Sequence, residues 1–141
     1  MTMDLAALAQ FLPKLEQSNF KAGEWSEPCK SESGIFVMPN VNYGDVASGF
    51  VDAAYKHGWV LRDFDWVTWK DTKAARALWE DAATVAGASP RELAQMLTVV
   101  IRQDRFVEGA LSGAFESGLM LRIVRRASEL LEVKKAPSGR R

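Results

Sequence analysis

The sequence predicts a mainly α-helical fold, a compact bundle of four to five helices with one short extended segment near residues 35–38. Two observations predict it. Apolar residues recur every three or four positions over much of the chain, which is the spacing of one helix face. Ser89-Pro90-Arg91-Glu92 has the pattern of a capping box, with a hydroxyl at the N-cap and glutamate at N3. At 141 residues, one helical domain is expected over 1–135, followed by a flexible basic tail at 136–141.

The N-terminal third is expected to contain one helix, a loop and the extended segment. Residues 3–17 carry leucines at helical spacing, and Pro13 within them predicts a kink or a new turn. Residues 18–33 are rich in Gly, Ser, Glu and Lys, which is typical of an exposed loop. The apolar run at 35–38 predicts an extended segment or a single edge strand. No sheet is expected, because one strand has no partner.

The remaining helices are predicted from caps and spacing. One begins with Asp45 as its N-cap and ends at Gly58, and an aromatic-anchored helix follows between Trp59 and about Ala83. The helix opened by the capping box ends near Gln103. After a bend at 104–109, a last helix runs to about Val133. The predicted core includes Leu93, Leu97, Val100, Phe106, Leu111, Phe115, Leu119 and Ile123.

Six small side chains form two lines along the last predicted helix. They are Gly109, Gly113 and Ser117 on one line and Ala110, Ala114 and Gly118 on the next. Each glycine inside a helix costs about 1 kcal/mol relative to alanine. Close approach of another backbone is the usual compensation. The lines therefore predict a packing surface, within the chain or between two copies of it.

Cysteine and histidine content limits the chemistry. Cys29 is the single cysteine, which excludes an intramolecular disulfide and favours a reducing, cytoplasmic setting. His57 is the single histidine and is expected to be a helix cap. No metal site and no cofactor are predicted, and the motifs of serine hydrolases, phosphate-binding loops and zinc proteases are absent. No secretory signal or membrane association is expected.

Charge is neutral overall but uneven. Residues 120–141 contain seven Lys and Arg against two Glu, while the rest of the chain is acidic. Such a basic end can contact nucleic acid, with Arg122, Arg125 and Arg126 as the candidates. Solvated helix positions beside Glu129 explain the same arginines and are favoured, because the domain as a whole lacks excess positive charge.

A charged cluster near the predicted bend is the main candidate for catalysis. Its members are Arg102, Asp104, Arg105, Glu108 and Glu116, with His57 as a further candidate. Paired carboxylates four residues apart can act as acid and base. A structural salt-bridge network at a helix junction explains the same residues and is favoured.

Aromatic residues supply the candidates for ligand binding. Trp59, Asp65 and Trp66 lie in one dense stretch, and Arg102 is grouped with them. Burial in the core is the favoured explanation, because Trp combines a large apolar body with one polar tip.

Three parts of the chain together resemble a known family. They are a helix ending in Gly58-Trp59, the element Phe64-Asp65-Trp66, and a C-terminal block that runs from Arg102 through Asp104-Arg105-Phe106, Glu108-Gly109, Leu111 and Glu116 to Gly118. This pattern, over about residues 35–127, resembles an uncharacterised bacterial family described as a domain of unknown function. The resemblance implies candidate positions and no chemistry.

Three functions follow from these observations. The leading expectation is a small intracellular interaction or binding module without catalytic activity, acting through a protein partner or as a homo-oligomer. The first alternative is a ligand-binding or hydrolytic enzyme that uses Asp104, Arg105, Glu108 and Glu116. The second is nucleic-acid contact through the basic C-terminal end.

Overall fold

The computed structural model describes residues 4–17, 20–25, 29–30, 36–37, 41–107 and 109–135. Their fold is mainly helical, as predicted. The predicted tail at 136–141 lies outside the described residues. The helices are α1 (Leu5–Ala9), α2 (Leu12–Leu15), α3 (Asp45–Lys56), α4 (Trp66–Trp69), α5 (Lys73–Glu80), α6 (Ala82–Ala86), α7 (Pro90–Gln103), α8 (Ala110–Glu116) and α9 (Leu119–Lys135). None of the helices described is both long and apolar enough to cross a bilayer.

Two short antiparallel strand pairs lie between α2 and α3. β1 (Gly23–Trp25) pairs with β4 (Val41–Tyr43), and β2 (Cys29–Lys30) pairs with β3 (Phe36–Val37). The expectation of an exposed loop without a sheet was therefore wrong. The composition did not indicate β1, because its Gly23 was counted as a loop residue. Glycine is needed there for close strand pairing, since a Cβ would lie 2.5 Å from the Asn42 carbonyl oxygen.

The helix predicted between Trp59 and Ala83 is instead three short helices, α4 to α6. Each begins at a side chain that accepts a backbone N–H: Asp65 for α4, Thr72 for α5 and Asp81 for α6. Such capping competes with helix continuation. The division into four or five helices is not confirmed, since the N-terminal helix is also split, with α2 beginning beside Pro13.

Cap predictions had mixed outcomes. The capping box at Ser89 is confirmed, with the Glu92 N–H donating to Ser89 Oγ at 3.2 Å and the Ser89 N–H donating to Glu92 Oε1 at 2.9 Å. Asp45 was predicted to be the N-cap of α3, but Gly44 holds that position and Asp45 is the first helical residue. There its carboxylate still faces the positive end of the helix dipole.

α7 is the central element of the core. Every residue from Leu93 to Ile101 except Gln95 is buried, and α4, α8 and α9 pack against the helix. The predicted core is confirmed with one exception. Phe106 is 77% exposed, because α7 ends at Gln103 and the chain turns outward before Phe106 is reached.

The last predicted helix is broken at Gly118, which separates α8 from α9 with a φ of +88°. Gly109 also has a left-handed backbone, with a φ of +86°, and is the N-cap of α8. Of the three glycines in the two lines of small residues, Gly109 and Gly118 therefore need glycine for their conformation and Gly113 does not. Within the described residues, the expected close approach at Gly113 is not made, since a Cβ there would meet none of their atoms within 4 Å. A contact with a second copy stays a prediction.

Replacing Gly113 or Gly118 by alanine should change the free energy of unfolding in opposite directions, because their environments differ. We expect Gly113→Ala to raise the free energy of unfolding by about 0.5–1 kcal/mol, because alanine lowers the entropy cost of a helix interior. Gly118→Ala should lower it by about 1–2 kcal/mol, because its Cβ is strained at positive φ. Urea unfolding of both variants measures this. A loss of stability in Gly113→Ala would contradict the open space beside α8.

Candidate functional site

The N-terminus of α8 is capped by residues from other elements. The Asp104 carboxylate, at the C-terminal end of α7, accepts two hydrogen bonds on Oδ1, from the Tyr43 hydroxyl at 2.8 Å and from the Leu111 N–H at 3.0 Å. The Tyr43 hydroxyl in turn accepts the Ser112 N–H at 3.1 Å. These N–H groups are the donors that a helix start leaves without partners. We call Asp104, Tyr43 and the two N–H groups the junction network.

The other acidic candidates do not join Asp104 in a carboxylate pair among the described residues. Glu116 is exposed and accepts the Ser112 hydroxyl at 3.4 Å. Glu108 lies outside the described residues, and so do its predicted interactions with Asp104 and Arg105. Asp104 therefore serves as a hydrogen-bond acceptor at a helix junction.

The basic members of the cluster face a different feature, an open cleft between α4 and the turn after α7. It has a volume of about 520 Å³. Its lining residues are Trp66, Val67, Lys70, Arg102, Gln103, Arg105, Phe106 and Val107. We call it the Trp66 cleft. Of the residues predicted for ligand binding, it brings together Trp66 and Arg102 and leaves out Trp59 and Asp65.

Large apolar side chains are exposed along the Trp66 cleft. The rings of Trp66 and Phe106 stack, with centroids 6.3 Å apart and planes inclined by 27°. Val67 is 54% exposed and Val107 is 50% exposed. Backbone hydrogen bonds from the N–H groups of Phe106 and Val107 to the Gln103 carbonyl, both 2.9 Å, fix the turn. The apolar surface is therefore held outward by a hydrogen-bonded turn.

The cations of the cleft differ in their partners. Lys70 lies 3.3 Å from the Asp71 carboxylate. Arg102 donates from Nη2 to the Leu61 carbonyl at 3.5 Å, and its Nε is buried without a hydrogen-bond partner. Arg105 is exposed and forms no ion pair within the part of the chain that the structure describes. Arg102 and Arg105 are thus the cations available to an anionic group.

Thr98, which the sequence analysis did not single out, positions the segment before α4. Its buried hydroxyl accepts the Leu61 N–H at 2.9 Å and donates to the Ala94 carbonyl at 2.7 Å. A threonine on the apolar face of α7 was the available signal, since a buried hydroxyl requires partners.

Asp65 begins α4 and so orients Trp66. It accepts the Thr68 N–H at 3.1 Å. A hydrogen bond from the Thr68 side chain, and then those from the backbone, hold the pKa of this exposed carboxyl below its ordinary value of 3.8.

Trp59 and His57 lie away from the Trp66 cleft. Trp59 is fully buried, and its indole N–H donates to the Asp4 carbonyl at 2.9 Å. His57 follows the last turn of α3, with Nδ1 3.8 Å from the Asp4 carboxylate. No residue near His57 in the sequence supplies a carboxylate beside it. In the fold, Asp4 of the N-terminal segment does.

A second cleft lies on the other side of Arg105, between α3 and the end of α7. Its volume is about 320 Å³. Its lining residues are Tyr43, Ala47, Ser48, Val51, Asp52, Tyr55, Ile101, Asp104, Arg105 and Leu111. We call it the Tyr55 cleft. Arg105 lines both clefts, so the two lie next to one another at this residue.

Two of the three candidate arginines at the basic end, Arg125 and Arg126, have internal partners. Arg125 lies 3.1 Å from the Glu16 carboxylate, and Arg126 donates to the Ala88 carbonyl at 2.8 Å and lies 3.6 Å from Glu129. Arg122 has its Nε buried without a hydrogen-bond partner. In the described residues, no three His, Cys, Asp or Glu side chains are grouped to hold a metal ion.

Removal of one hydroxyl tests the junction network. We expect Tyr43→Phe to lower the free energy of unfolding by about 1–3 kcal/mol, because Asp104 loses a donor and the Ser112 N–H loses its acceptor. Urea unfolding measures the change. Tyr55→Phe is the matched control, since that side chain is 43% exposed, and its stability should match the wild type. Equal effects in both variants would contradict the network's role.

The whole-chain comparison supports the resemblance found in the sequence. A model described as "Family of unknown function (DUF6508)" matches residues 1–133, which include the N-terminal helices as well as the motifs. No curated protein and no solved structure matches the chain. The chain belongs to this family of unknown function, DUF6508.

Proposed function

We propose that this protein is a non-catalytic interaction module that binds a short acidic and apolar segment of a partner protein in the Trp66 cleft. The observation that carries the proposal is the stacked pair of the half-buried Trp66 and the exposed Phe106, beside Arg102 and Arg105. Tryptophan and arginine are the residues most enriched among those that dominate binding energy at protein interfaces.

Exposure of the apolar side chains supports a macromolecular partner. Phe106, Val67 and Val107 project together beside Trp66, and grouped exposed apolar residues mark interaction surfaces. A pocket for a small molecule encloses most of its ligand. The Trp66 cleft is open to solvent, which suits a partner that supplies apolar side chains from its own surface.

Charge specifies the acidic character of the segment. The Arg102 Nε is removed from water without a protein partner, a cost that a carboxylate oxygen would offset. Arg105 is exposed at the same cleft. A segment with one or two carboxylates beside an apolar side chain therefore matches both features of the cleft.

A protein segment is favoured over a nucleic acid. Asp63 and Asp65 are exposed immediately before α4, and Lys70 is already paired with Asp71. These carboxylates oppose the approach of a phosphate backbone, which binding to nucleic acids depends on. Val67 and Val107 add aliphatic surface to the Trp66 cleft, whereas nucleic-acid bases stack on aromatic rings.

Catalysis has less support than binding. Oδ1 of Asp104 and the Tyr43 hydroxyl bind groups at the start of α8, and His57 lies beside Asp4, away from both clefts. A general base must lie within hydrogen-bond reach of the proton that it removes. The described candidates are therefore not assembled around one reacting atom.

Selection from a displayed library of random dodecapeptides tests the proposal. We expect the wild-type protein to enrich peptides in which Asp or Glu flanks an aromatic or aliphatic residue. Arg105→Gln should weaken binding of a selected peptide about tenfold, the effect of one charge-assisted hydrogen bond. Trp66→Ala should weaken it about thirtyfold or more. The matched control is Arg76→Gln, an exposed arginine of α5 that lines neither cleft.

Two results would refute the proposal. One is a library without acidic and apolar enrichment. The other is a selected peptide whose affinity is the same for wild type and Arg105→Gln. Displacement of the selected peptide by a single-stranded oligonucleotide would instead assign the cleft to nucleic acid.

A further inference from the structure

We infer that the bound segment continues past Arg105 into the Tyr55 cleft and carries a basic side chain there, so that the partner's motif is acidic at one end and basic at the other. The inference rests on the proposed function of the Trp66 cleft and names the charge pattern of its partner.

The two clefts share one lining residue. Arg105 lines both, at the start of the turn that also presents Phe106 and Val107. A segment with a carboxylate on Arg105 therefore has a second concave surface immediately beyond that contact. A segment that ended at Arg105 would leave the adjacent apolar surface of the Tyr55 cleft without contact.

The sign of the charge changes across Arg105. The Trp66 cleft is lined by Lys70, Arg102 and Arg105 without a carboxylate, whereas in the Tyr55 cleft the two carboxylates of Asp52 and Asp104 outnumber the single cation, the shared Arg105. Asp52 is exposed and forms no ion pair with any residue that the structure describes. Asp104 uses only Oδ1 in the junction network, so Oδ2 stays available as an acceptor. These two carboxylates favour a cation.

The surface between the carboxylates suits the stem of a long basic side chain. Ala47, Val51, Ile101 and Leu111 are aliphatic, and the Tyr55 ring adds an aromatic face. Lysine and arginine cover apolar surface with their methylene stems while the charged end reaches a carboxylate. Aromatic rings also attract cations. A volume of about 320 Å³ accommodates one such side chain.

The experiment pairs a residue of the protein with a residue of the peptide. Peptides selected from the dodecapeptide library on wild-type protein should carry Lys or Arg at a constant offset from the acidic and apolar pair. On Asp52→Asn this basic preference should disappear while the acidic and apolar pair remains. Glu132→Gln, an exposed position of α9 that lines neither cleft, is the matched control and should select the wild-type pattern.

A charge swap measures the coupling directly. Binding of a selected peptide should weaken up to about fivefold in Asp52→Asn, the effect of one exposed ion pair. It should weaken further in Asp52→Lys, and replacing the peptide's basic residue by Glu should restore affinity for that variant. The Asp52 carboxylate makes no hydrogen bond or ion pair within the described part of the chain, so its variants should fold normally.

The results separate this inference from the proposed function. Two outcomes would overturn the inference and leave the Trp66 cleft as the binding site. One is the selection of acidic and apolar peptides without a basic preference. The other is a basic peptide residue whose replacement lowers the affinity equally for wild type and Asp52→Asn. Absence of acidic and apolar enrichment would overturn both.

Discussion

The start of α8 needs hydrogen-bond acceptors that its own sequence does not supply. Its N-cap is Gly109, which has no side chain, and the N–H groups of Leu111 and Ser112 are therefore bound by Asp104 and Tyr43. This requirement fixes α7, β4 and α8 relative to one another. The turn between α7 and α8 is anchored at both ends, so Arg105, Phe106 and Val107 are held at the surface.

This constraint divides one charged cluster into two roles. Asp104 faces inward to the helix start, where a carboxylate is favoured by the helix dipole. Arg105 faces outward between two clefts, and Arg102 presents a buried Nε beside Trp66. Stability and the proposed binding thus depend on neighbouring residues. A protein organised in this way can vary its exposed arginine without losing its fold.

The sequence predicted features set by local interactions better than features set by distant ones. The capping box at Ser89 depends on four consecutive residues and was predicted correctly. The role of Tyr43 depends on contacts with residues 61 and 69 positions away, which no spacing rule indicates. Phe106 was assigned to the core because periodicity continues through the bend, although the helix does not. Trp66 and Arg102 were named as candidates, but their cleft required the folded turn.

In the proposed complex, Trp66 and the turn after α7 form the binding surface, whereas the buried Trp59 takes no part in it. A nitrogen-15 correlation spectrum resolves the indole N–H groups of the five tryptophans. On titration with a selected acidic and apolar peptide, the Trp66 indole signal should shift, and the Trp59 signal, whose N–H is bound to the Asp4 carbonyl, should stay in place. An unchanged Trp66 signal at saturating peptide would contradict the account.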